Sequence, residues 1–194
     1  MKKVLLCSIC LCAPLSAEQK IFGPKAFQDT TLSESLIVIG PLKATGLTAQ
    51  NLRVFGNTRL TNSSIGTLKV VGNLWADSTS FHGPVDVTGH VSAKNSKFLN
   101  DLILTGSDIA LELENTKAEN ITIDNKVYPQ RGGFYLFSSA LKKTPTVKID
   151  LKNKTEVNGN LVFEGSPEKV IMDSSSSVTG HIIPTKIFEE TDEK

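Results

Sequence analysis

Between Ser35 and Gly106 the chain repeats one phrase five times: SLIVIG, NLRVFG, TLKVVG, PVDVTG and DLILTG. The closing glycines, Gly40, Gly56, Gly72, Gly89 and Gly106, are spaced 16, 16, 17 and 17 residues apart. Four and two places before each glycine stand apolar residues: Leu36/Val38, Leu52/Val54, Leu68/Val70, Val85/Val87 and Leu102/Leu104. The register runs on past the glycine, with Leu42, Thr58, Leu74 and Val91 two places later, Ala44, Leu60, Ala76, Ala93 and Ala110 four later, and Ala49, Ile65, Phe81 and Phe98 nine later. Alternation over short runs means strands, and strands recurring at one period mean a solenoid. Sixteen or seventeen residues, at about 3.3 Å per strand residue, form a coil of three short strands. Stacking the coils turns each inward position into a ladder. The expected fold is all-β: a single-stranded, right-handed parallel β-helix of about nine coils of 16–17 residues, with one inserted excursion. A glycine recurs where a tight corner demands backbone angles that a side chain penalises.

The chain on either side divides naturally. Residues 1–17 combine Lys2 and Lys3, an apolar run from Val4 to Leu15 and the small pair Ser16-Ala17, the three-part pattern of a cleaved secretory signal peptide. All three cysteines, Cys7, Cys10 and Cys12, lie within it, so the mature chain is expected to lack thiols and disulfides. Residues 18–33 read as an N-terminal lead-in or cap over the open end of the coils, and residues 34–125 as coils. In the last of these the period stretches to 19 residues, with Ile121 and Ile123 inward and Asn125 at the glycine place, a loosened coil. Residues 126–145, KVYPQRGGFYLFSSALKKTP, break the repeat. Their Gly132-Gly133 turn signal and FYLF run read as a hairpin-like excursion. It either folds back on the flank or presents Phe134, Tyr135 and Phe137 to a partner or a membrane surface. Coils resume over 146–184, with Val147/Ile149, Leu161/Phe163, Val170/Met172 and His181/Ile182 as inward pairs, and 185–194 form a charged, disordered tail.

Composition agrees with narrow coils: 39% of residues are apolar but only 6% aromatic. Formal charge is +1, and without the two lysines of the first 17 residues the remainder carries −1, which offers nucleic acid no electrostatic footprint.

The outward columns are where function has to reside. One place before the glycines stand Ile39, Phe55, Val71, Thr88 and Thr105. With Ile37, the first three make an apolar stripe on the solvent side, and either the lead-in or a second chain is expected to cover it. Arg53, Lys69 and Asp86 share the next column, as an exposed ion-pair ladder rather than the paired carboxylates of a glycosidase. Trp75 points outward beside Arg59, as a cation–π partner or a platform for a sugar ring. Asn62, Ser78 and Asn95, each followed by Ser63, Thr79 and Ser96, repeat at one turn as a hydrogen-bonding ladder, and Asn57, Asn73 and His90 do the same after the glycines. No metalloprotease, nucleophile-elbow, phosphate-loop or EF-hand spacing occurs, and no cofactor or metal is expected.

Glycine-punctuated coils closing with EGSPEKVIMDSSSSVTGHI, over residues 34 to about 184, resemble the bactofilin group of polymer-forming proteins. That resemblance implies a right-handed β-helix that joins end to end without nucleotide, with an apolar aromatic near one end supporting the joint; Phe188 is the nearest match by place. The export signal and the 126–145 excursion depart from the group, whose members are usually cytoplasmic. The functional expectation is an exported, non-enzymatic scaffold of the cell envelope, in the periplasm, at the cell surface or secreted. Its partner is a second copy or another envelope protein. The alternative is a carbohydrate-binding or carbohydrate-cleaving β-helix with a polysaccharide as partner.

Overall fold

The computed structural model of the chain describes residues 18–125, 146–165 and 170–183, and the backbone of a final strand, Phe188–Glu190. The signal-like segment and the 126–145 excursion, with Phe134, Tyr135 and Phe137, lie outside the described residues. Every strand pairing is parallel, and the chain winds through three faces per coil for about eight turns, a β-solenoid. Gln19–Phe22, Leu36–Ile39, Val85–Thr88 and Leu102–Thr105 lie on the first face, and Lys25–Gln28, Leu42–Thr45, Thr58–Thr61 and Leu74–Asp77 on the second. Short strands such as Ser80–Phe81 and Lys97–Phe98 make the third. Thr48–Phe55 and Ser64–Val71 run unbroken from the third face into the first of the next coil, so these two faces form one 15-stranded sheet beside the nine-stranded second face.

The register is the one the repeat demands. Leu52 pairs with Leu36 and Leu68, Leu68 with Val85, and Val85 with Leu102, and all five are buried. On the third face Ala49, Ile65, Phe81 and Phe98 align, and the two phenyl rings stack at 4.7 Å between centroids, one coil spacing. The corner glycines from Gly40 to Gly106 have φ between +140° and +153°. At the next corner Asn62, Ser78, Asn95 and Asn115 take φ of +47° to +52°, the left-handed region that Asn tolerates best among residues with a side chain.

Directly after that corner runs a buried file of hydroxyls. Ser63, Thr79, Ser96, Thr116 and Thr155 each donate to a carbonyl of their own coil two or three residues back. Each also accepts from the backbone N–H one coil earlier: Leu47 N to Ser63 Oγ, Ser63 N to Thr79 Oγ1, Thr79 N to Ser96 Oγ, and onward to Ser176. The file satisfies amides that a turning strand would otherwise leave unpaired in the core. Thr79→Val keeps the shape and removes the hydroxyl, so it should cost about 1 to 3 kcal/mol in urea melts, while the exposed Thr88→Val should be nearly neutral.

Several local readings of the sequence need correction. Ala110 does not continue the inward column, because three extra residues after Gly106 bring Leu111 opposite Val91 and Leu113 opposite Ala93. The coil is widened rather than loosened: Ile109 is buried and pairs with Val147. Asn125 sits buried at the glycine place but is not among the described residues with positive φ. At the far end His181 is exposed, and Ile182 takes the inward position opposite Leu161. The charged tail also contains a strand, Phe188–Glu190, paired with Val170–Met172, which sets Phe188 opposite Val170. Asp173 closes the serine-rich turn nearby by accepting from Asn153 N and Ser175 N, bonds that outweigh desolvation and hold its carboxyl below the usual range.

Candidate interaction surfaces

Strand alternation on the first face sends Val38, Val54 and Val70 inward and their successors outward. Ile39, Phe55 and Val71 stand in one register at 42%, 44% and 41% exposure. The lead-in does not cover them. It forms a coil of its own, stacked edge-on, in which Lys20 pairs with Ile37 and Phe22 with Ile39. Phe22, 75% exposed, thereby lengthens the stripe to four side chains over roughly 14 Å. After Val71 the column turns polar at Thr88 and Thr105. Four aligned apolar side chains left in water are the kind of surface that an interaction covers.

Ile37, expected in the same exposed patch, is only 8% exposed. It faces outward by alternation, in the register between Lys20 and Arg53, residues of the kind whose methylene stems can cover an apolar neighbour while their charges stay in water. The lead-in coil likewise caps the core with amphipathic residues. Lys25 stands in the inward register opposite Leu42, with its ammonium 5.1 Å from the centroid of the half-buried Phe27.

Beyond Ile37 the column carries Arg53, Lys69 and Asp86, and the last two meet at 2.7 Å. Lys94–Glu114 and Lys117–Glu156 pair in the same coil-to-coil manner on the other faces. These groups are well exposed, and such pairs add little stability. His90 belongs to the ladder its register implied: its backbone N–H donates to Asn73 Oδ1, as that of Asn73 does to Asn57 Oδ1.

On the second face Arg59, Trp75 and Ser92 form an outward column, with Thr61, Asp77 and Lys94 in the neighbouring one. Arg59 Cζ lies 5.6 Å from the centroid of the Trp75 ring. The two columns border an open hollow of about 270 Å³. Among the described residues, no three or more His, Cys, Asp or Glu side chains gather in a metal-binding group, and no helix is long and apolar enough to cross a membrane. The chain matches no protein-family model, no curated protein and no solved structure.

Proposed function

We propose that this protein is an exported, non-enzymatic structural element of the cell envelope: a stiff rod that associates with a second copy or another envelope protein through the stripe Phe22, Ile39, Phe55 and Val71. The observation that carries the reading is that stripe, which the lead-in stacked beside it leaves exposed. A solenoid suits the task because each coil rests only on its neighbours, so side chains repeat along a straight, rigid surface. The pattern-level resemblance to bactofilins supports a polymer-forming variant, with Phe188 in the last coil as a contact for end-to-end joining. Export rests on the pattern of residues 1–17.

Phe55→Asp tests the stripe. Its side chain already faces water, so the variant should melt within about 0.5 kcal/mol of the parent. Light scattering should show the parent's association lost. A variant that associates like the parent removes the stripe from the account, and one that unfolds shows that the stripe is covered within the chain itself.

A further inference from the structure

A scaffold has no need of the hollow on the second face. Its floor crosses three coils, with Arg59, Trp75 and Ser92 in one register over roughly 10 Å. Lys94, at the rim, is engaged by Glu114 at 2.8 Å, and Asp77 accepts from the Ser78 hydroxyl at 3.0 Å. Arg59 differs: it rests against the indole, and no salt bridge engages it among the described residues. A guanidinium held against an aromatic ring keeps its forked donors available for a planar anion and has less freedom to lose on binding. The volume, about 270 Å³, falls below the usual range for sites that enclose a whole drug-sized ligand and suits one ring of a longer, mostly solvated chain.

We propose that this hollow binds an acidic polysaccharide through one uronate residue. The sugar's C–H face packs on Trp75, and its carboxylate accepts from the Arg59 guanidinium. The Ser92 hydroxyl and Asp77 carboxylate meet ring hydroxyls. A neutral sugar leaves the Arg59 guanidinium without a carboxylate to receive its donors. The site lies on a different face from the apolar stripe, so the proposal stands whether or not the stripe docks a protein.

Trp75 is the chain's only tryptophan, so its emission reads this site alone. Titration with polygalacturonate oligosaccharides should give a saturable change in emission, weakened by salt, and neutral galactan oligosaccharides of the same length should give none. Arg59→Gln should raise the Kd about tenfold or more with an unchanged melt. Lys117→Gln, on the third face, should bind as the parent does. The absence of a saturable change with the acidic oligosaccharides, an equal response to the neutral ones, or an unchanged Kd in Arg59→Gln overturns the proposal.

Discussion

Replacing Gly72 with alanine should destabilise the rod by about 2 to 6 kcal/mol. Two separate costs combine. The backbone at Gly72 has φ +140°, a region that a Cβ penalises by about 1 to 3 kcal/mol. The new Cβ would also stand 2.6 Å from the carbonyl oxygen of Gly56 in the preceding coil, and relieving that overlap against backbone costs about 1 to 3 kcal/mol more. Gly23 separates the two. It occupies the same corner of the first described coil with φ +91°, but nothing lies within 4 Å of where its Cβ would be, and among the described residues no coil precedes it. Gly23→Ala should therefore carry only the conformational cost and fray only the end. Equal losses for the two variants in urea melts would mean that coil-to-coil approach at this corner is not what requires glycine.

The second large effect is expected at the middle of the inward ladder. Leu68 is fully buried between Leu52 and Val85. Leu68→Ala should cost about 2 to 5 kcal/mol, because hydrogen-bonded coils above and below hold the cavity open. The next residue, Lys69, pairs with Asp86 at 2.7 Å, but both groups are well exposed, and Lys69→Ala should cost less than about 1 kcal/mol. Comparable losses at 68 and 69 would contradict the alternation on which the inward and outward assignments rest.

The ladders are legible in the sequence because a solenoid writes its geometry into the chain once per coil. Each inward position meets its own copies, so Leu36, Leu52, Leu68, Val85 and Leu102 answer one requirement five times. The same logic exposed the Asn and Ser/Thr files at the second corner. What escaped were the places where the neighbours change. Gly23 stands 17 residues before Gly40, in period, but Gln19 and Lys25 occupy inward registers where apolar residues would complete the signature. At an open end one side of the coil faces water, and polar residues fit there. Hence the lead-in is a coil rather than a cover, and Phe22 belongs to the stripe. Ile37 escaped for the opposite reason: alternation gives its direction, whereas its burial depends on what the adjoining strands bring beside it, Lys20 on one side and Arg53 on the other. The slip at Ala110 follows from a three-residue insertion, which periodicity locates but cannot place on a corner or a strand. The hollow around Trp75 was half legible. The column joining it to Arg59 follows from the repeat, but the open space beside them depends on side-chain shape.

The first face carries an apolar stripe, and the second, beside an indole, a guanidinium that no salt bridge engages among the described residues: two chemically distinct surfaces. The claim that a neighbour covers the stripe can be read inside the cell. All three cysteines lie in residues 1–17, so with Cys7, Cys10 and Cys12 replaced by alanine a single engineered thiol beyond them reports one position. Val71→Cys lies on the stripe, and Thr88→Cys lies one coil on in the same outward column. In dilute purified protein both should react with a small maleimide. On intact cells Thr88→Cys should still react while Val71→Cys is protected by the partner seated on the stripe. Equal labelling of the two in cells would leave the stripe bare where the protein works, and would contradict the account.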